Sequence, residues 1–159
     1  MANKKLEKFD RKTIKYLRRR GDTIGRIALF IIFFWFGILK VFLLSPAGPF
    51  VTTLLNHTFL GVIPDTTFLI GFGMFEVLVG IMILMPKLER ITFALLALHL
   101  FTTILPLFLL PSETWNGVLV PTLVGQYIIK NAALLALGLV IFSNLKPMTK
   151  THSIWGERE

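Results

Sequence analysis

The stretch TTFLIGFGMFEVLVGIMILMPK, residues Thr66–Lys87, decides the fold. It is a run of about 20 mostly apolar residues, the length that crosses a bilayer as a helix. One carboxyl group, Glu76, lies near its middle, where a charge costs roughly 2.5–3.5 kcal/mol. The group should therefore have a partner or be protonated. Gly73 and Gly80 share its helix face, so a neighbouring helix is expected to pack against this polar group.

Composition places the chain among small membrane proteins. It has 159 residues, 54% of them hydrophobic, which is too apolar for an ordinary soluble domain. It contains no cysteine, which excludes disulfides, thiolate metal sites and dithiol redox chemistry. The net charge of +8 follows membrane topology and does not indicate nucleic-acid binding, since nine of the 17 basic residues precede Gly21.

Four apolar runs predict an all-α, polytopic membrane protein built as a four-transmembrane-helix bundle. The spans are expected at about residues 26–44, 66–86, 91–110 and 121–144, within a membrane domain of residues 21–145. Residues 1–20 are interpreted as a basic cytoplasmic or interfacial tail, and residues 146–159 as a cytoplasmic tail. Gly21-Asp22-Thr23 marks the start of the membrane domain, where Asp22 or Thr23 could cap the first span.

The connections predict the orientation. Lysine and arginine occur in the N-terminal tail, in the Pro86–Arg90 loop and in the C-terminal tail, but not in the other two connections. The positive-inside rule therefore predicts that both termini are cytoplasmic. The first outer connection is expected to contain a short amphipathic helix, Pro49–His57, with Pro49 in its first turn.

The basic tail has three possible roles. It could be a solvated segment that sets orientation, an interfacial helix on anionic lipid, or a binding site for a partner subunit. Leu6, Phe9, Thr13 and Leu17 approximate one helical stripe, as an interfacial helix requires.

Each span carries polar groups near mid-membrane, and these form the candidate site. By helical rise the four ionisable ones agree in height within roughly 10 Å, so a bundle can bring them to one interior cluster. Pro106 is expected to free the carbonyl group of Thr102 toward the same interior. The expected polar core comprises Lys40, Glu76, His99, Lys130, Gln126 and Asn131, with the hydroxyl groups of Thr102 and Thr103 completing its hydrogen bonds.

Two interpretations of this core remain open. It could be a structural network in which Glu76 is bridged to Lys130 or Lys40. Alternatively, two ammonium groups facing one carboxylate would suit an anionic or carbonyl-bearing ligand. In that case His99 could donate a hydrogen bond to a quinone carbonyl or relay a proton.

The sequence contains no motif that is typical of several other functions. There is no nucleotide-binding loop, no nucleophile constellation and no ligand set for a metal, so no catalytic or metal-ligating residues are assigned. A single histidine within the spans cannot ligate a haem from both sides. A proton or anion pathway is disfavoured because the inner halves of the spans, including Ile27–Ile32 and Leu78–Met85, are almost wholly apolar.

Three segments resemble the DoxX-like integral membrane proteins: RGDTIGRIALFIIFFWFGILKVF (20–42), GFGMFEVLVGIMIL (71–84) and GQYIIKNAALLALGLVIF (125–142). The first two, with PSETW (111–115), are most similar to the YkgB/RclC branch of bacterial inner-membrane proteins. The resemblance implies a four-helix fold in the cytoplasmic membrane. The resemblance also implies that the motif positions of the family correspond in this sequence to Lys40, Glu76, Lys130 and Asn131. The first outer loop is shorter here than in that branch.

The resemblance also implies a functional context of quinone-coupled oxidation or of oxidative stress. The leading hypothesis is therefore a membrane subunit whose polar core binds a quinone or a small oxidised or anionic molecule. The alternative is a structural or assembly subunit of a larger complex without ligand chemistry of its own. The expected partners are the bilayer, anionic lipid at the basic tail, and other protein chains or further copies of this one.

Overall fold

The structure, a computed structural model, describes residues 4–143 and 145, without the side chains of residues 59 and 60. The end of the predicted fourth span at Asn144 and the tail 146–159 lie outside the described residues. The helices are α1 (Lys4–Val41), α2 (Gly48–Asn56), α3 (Asp65–Ile83), α4 (Glu89–Ile104), α5 (Pro106–Leu109), α6 (Pro111–Thr114) and α7 (Leu123–Phe142). Two short 3-10 turns, Phe59–Val62 and Pro86–Leu88, precede α3 and α4. Strands β1 (Trp115–Gly117) and β2 (Val120–Pro121) form an antiparallel hairpin.

Four helical segments are long and apolar enough to cross a membrane, which is consistent with the predicted all-α bundle. They are α1, α3, the segment Pro86–Leu109 and α7. In α3 the helix starts directly after Pro64, with Asp65 in its first turn, where a carboxylate faces the positive end of the helix dipole. The amphipathic helix expected in the first connection is present as α2.

The first span does not begin at a capped boundary. α1 runs without interruption from Lys4 through Gly21 to Val41, so the basic tail and the first span form one helix of 38 residues. Asp22 does not act as a cap, because its carboxylate instead accepts a hydrogen bond from the Arg26 side chain one turn later, at 2.8 Å. That i,i+4 pair supports the helix near Gly21, where glycine alone would weaken it by about 1 kcal/mol.

The third span is divided by Pro106. α4 ends at Ile104 and α5 begins at Pro106, which has no N–H group to donate to the Thr102 carbonyl. That carbonyl group is nevertheless bonded, since it accepts from the backbone N–H of Leu105 at 3.3 Å. The expectation of a free carbonyl group at Thr102 is therefore wrong, because a tighter turn replaces the lost bond.

Two glycines bring α1 and α3 into backbone contact. A Cβ atom added at Gly73 would lie 2.6 Å from the carbonyl oxygen of Gly37, and one added at Gly37 would lie 2.7 Å from that of Gly73. A Cβ atom at Gly80 would lie 3.0 Å from the backbone nitrogen of Phe34. The face of α3 that carries Gly73, Glu76 and Gly80 is thus the face on which another helix packs, as predicted.

The four spans form a closed ring in which α3 lies between α1 and α4, and α7 contacts both α4 and α1. We call the end near the Pro86–Leu88 turn the turn end, and the end near α2 the loop end. Helices α1 and α4 run from the turn end, and α3 and α7 run toward it. The apolar core is a cluster of buried side chains contributed by all four spans: Leu29, Phe33, Val79, Ile83, Leu96, Leu100, Ile141 and Phe142.

Candidate functional site

Three of the predicted polar residues meet inside the bundle. The Nζ atom of Lys40 donates a hydrogen bond to Oε2 of Glu76 at 2.6 Å. The Nε2 atom of His99 lies 3.6 Å from the other oxygen, Oε1. The residues are 7%, 5% and 6% exposed, respectively. They come from α1, α3 and α4, and we call them the polar cluster.

The glycine contact between α1 and α3 explains why the ion pair forms. Lys40 lies three residues after Gly37, and Glu76 lies three residues after Gly73, so each polar residue shares a face with a contact glycine. Side chains on a helix lean toward its N-terminus. Because α1 and α3 are antiparallel, the lysine therefore leans toward the turn end and the carboxylate toward the loop end. The two groups therefore converge at the level of the glycine contact.

Three phenylalanines surround the imidazole ring of His99, and we call them the aromatic cage. Phe33 meets it edge-on at 5.1 Å between centroids, Phe72 stacks on it at 5.3 Å, and Phe75 lies tilted at 5.9 Å. Phe33 is buried, whereas Phe72 and Phe75 are half-buried. The Nζ atom of Lys40 also lies 5.5 Å from the centroid of the Phe72 ring, a cation–π contact.

Sequence reasoning did not find the cage, although a signal was available. Phe72 lies four residues before Glu76, and Phe33 lies seven before Lys40, so each lies on the face of its helix that carries a cluster residue. In a chain with 15 phenylalanines, however, this spacing does not separate a cage from ordinary core packing.

One polar atom of the cluster is unsatisfied. Among the described residues, Nδ1 of His99 is buried and has no hydrogen-bond partner. Leaving a buried polar atom unpaired costs about 1–3 kcal/mol. The hydroxyl groups expected to complete the network do not reach it, since Thr102 and Thr103 donate to the backbone carbonyls of His99 and Leu100 in their own helix, both at 2.8 Å.

The residues from α7 do not join the cluster. Gln126 and Lys130 are exposed, and Asn131 is half-buried. The Nζ atom of Lys130 lies 5.2 Å from the centroid of the Tyr127 ring in the same helix. The expected excess of positive charge is therefore corrected to one ammonium group facing one carboxylate. Helical rise predicted the height of Lys130 along the bundle, but it carried no information on the direction of the side chain.

A second polar group lies at the turn end and was also missed. Arg26 pairs with Asp22 at 2.8 Å and with Glu89 at 2.6 Å, and it donates to the carbonyl oxygen of Ile83 at 3.1 Å. Its guanidinium also lies 5.7 Å from the ring centroid of Phe142. The one arginine thus joins α1, α3, α4 and α7. These contacts tie the four spans together at the turn end.

The described residues contain no group of three or more histidine, aspartate or glutamate side chains that could hold a metal ion. No family model matches the chain, and comparisons with curated proteins and with solved structures found no match. Membership of the DoxX-like family therefore stays a hypothesis drawn from the quoted segments.

Proposed function

We propose that the protein is an integral membrane subunit whose polar cluster binds the flat headgroup of a membrane-soluble molecule of the quinone and hydroquinone class. The unpartnered Nδ1 atom of His99 carries this proposal. A buried ring nitrogen without a partner is the kind of atom that a ligand satisfies, and ionisable groups within a span are functional candidates by default.

The aromatic cage supports a ring-shaped ligand. Phe72 and Phe75 contact His99 and are half-buried, so they form the boundary between the polar cluster and the bundle exterior. An aromatic headgroup that displaces Phe72 can take over its stacking contact with the imidazole, and such stacking contributes about 0.5–1.5 kcal/mol beyond area burial.

The charge of the polar cluster favours a neutral ligand over an anion. Lys40 and Glu76 neutralise each other at 2.6 Å, and Lys130 is exposed. An anion entering this site would add an unpaired negative charge inside the span, at a cost that the remaining groups do not offset. The resemblance to DoxX-like proteins adds the redox context and the cytoplasmic membrane to the same proposal, and the distribution of lysine and arginine adds both termini in the cytoplasm.

Ligand binding is tested with the purified protein in nanodiscs by native mass spectrometry, using a benzoquinone with a short alkyl tail and its hydroquinone, kept reduced under anaerobic conditions, as the probes. We expect saturable binding that falls about tenfold or more in the double variant Lys40→Met with Glu76→Gln and in Phe72→Ala. The matched control is Lys130→Met, which removes an exposed lysine from the same membrane domain. Binding that is equal in all four proteins would exclude the polar cluster as the site.

Assembly with a partner chain is the second candidate function, and the exposed polar residues of α7 favour it. Gln126 and Lys130 lie one turn apart on that span, and no described residue forms an ion pair with Lys130. A lysine within a span is normally paired, so the expected partner is a transmembrane helix with a carboxyl group at the height of Lys130.

The assembly function is tested by native mass spectrometry of complexes released from membranes in mild detergent. We expect Lys130→Glu to remove a stoichiometric partner chain that Lys130→Arg retains. Release of the wild-type protein as a lone monomer would contradict this function.

A further inference from the structure

The carboxylate of Glu76 favours a proton on one particular nitrogen of the His99 ring. Nε2 lies 3.6 Å from Oε1 of Glu76, whose other oxygen accepts from Lys40. An ionised carboxylate can only accept hydrogen bonds. An unprotonated Nε2 would direct its lone pair at this carboxylate, and the low-dielectric interior would screen their repulsion poorly. We therefore assign the proton to Nε2.

The second nitrogen of His99 is then a bare acceptor. A neutral imidazole carries one N–H group, and the single negative charge of Glu76 is already matched by the ammonium group of Lys40 at 2.6 Å. A doubly protonated ring would add an uncompensated positive charge to the site. Nδ1, the atom that has no partner among the described residues, therefore offers a lone pair and no proton.

We infer that the ligand of this site presents a hydroxyl group to Nδ1 of His99, so that the site selects a phenol or a hydroquinone over the corresponding quinone. This inference rests on the proposed function and makes its ligand class narrower. A quinone carbonyl brings a second acceptor to a bare nitrogen and leaves both unsatisfied, whereas a hydroxyl group satisfies Nδ1. In this arrangement His99 accepts a hydrogen bond from the ligand, whereas the sequence led us to expect that His99 donates one.

The tautomer is measured first, because it does not depend on any ligand. The chain has three histidines, so His57→Gln and His152→Gln leave His99 as the only one. Nitrogen-15 solid-state NMR of this protein in bilayers, labelled in histidine, is expected to show a proton on Nε2 and none on Nδ1. A proton on Nδ1, alone or together with one on Nε2, would overturn the inference.

Ligand selection is measured second, under anaerobic conditions, with three ring compounds that share one short alkyl tail: a hydroquinone, its quinone and its dimethyl ether. We expect the hydroquinone to bind about tenfold more tightly than either of the others. His99→Phe, which keeps an aromatic ring in the cage, is expected to abolish the difference.

The outcomes separate the inference from the function on which it rests. Equal binding of the hydroquinone and the quinone, or tighter binding of the quinone, overturns the inference and leaves the ligand site in place. Absence of binding by all three compounds overturns both. Selection that persists in His99→Phe overturns the role of the histidine.

Discussion

Lys40 and Glu76 depend on each other for their burial. Each is less than a tenth exposed, and the distance between Nζ and Oε2 is 2.6 Å. Removing one partner from such a pair leaves an uncompensated charge in a poorly solvated interior, whereas removing both leaves two uncharged side chains. The ion pair therefore specifies the arrangement of α1 and α3 more than it adds net stability.

We predict that Glu76→Gln alone lowers the free energy of unfolding by about 3–5 kcal/mol. The double variant Lys40→Met with Glu76→Gln should recover most of that loss, because no buried charge remains. Equilibrium unfolding in mixed micelles measures both values, and the Lys40→Met single variant completes the double-mutant cycle. If Glu76→Gln is no less stable than the double variant, the prediction is contradicted, because Lys40 then reaches solvent without its partner.

Gly73 lets α3 pack closely against α1, because a larger residue at this position would collide with the backbone of α1. A Cβ atom at Gly73 would lie 2.6 Å from a backbone oxygen of α1, which cannot rotate away as a flexible side chain would. Gly71, two residues earlier in the same helix, is exposed, and a Cβ atom there would meet nothing within 4 Å. The two positions thus form a matched pair. A Cβ atom would collide with α1 at Gly73 and would meet no neighbouring helix at Gly71.

We predict that Gly73→Ala destabilises the protein by about 1–3 kcal/mol, because α1 and α3 must move apart. Gly71→Ala should be neutral or slightly stabilising, since alanine favours the helix. Thermal unfolding in detergent measures both effects. Equal stabilities of the two variants would contradict the close contact between the helices.

For the whole molecule, the apolar runs were sufficient to predict four spans, and the Gly73 face was sufficient to predict where a helix packs on α3. The direction in which Lys130 points could not be predicted in this way. When nearly every position of a helix is apolar, periodicity no longer distinguishes the inward face from the lipid-facing one. The continuity of α1 through Gly21 was missed for another reason, because the contacts of Arg26 with Glu89 and Ile83 are tertiary.

The orientation across the membrane is a prediction for the whole chain, and the absence of cysteine makes it simple to test. We expect Lys12→Cys and Lys87→Cys to react with a membrane-impermeant maleimide from the cytoplasmic side, and Ser112→Cys from the other side, because of the distribution of basic residues. All three positions are exposed. Reaction of Lys12→Cys and Lys87→Cys from opposite sides would contradict the arrangement.

The distance along the chain between Lys40 and Glu76 has a consequence for biosynthesis. The two residues are 36 positions apart, so at about 5–20 residues per second the ribosome completes the lysine roughly 2–7 s before the acid. During that interval the ammonium group has no carboxylate to meet. Because Lys40 lies in the last turn of α1, its side chain can extend to the headgroups during this interval. We therefore expect helix α1 to reach its final depth in the bilayer only after α3 has inserted beside it.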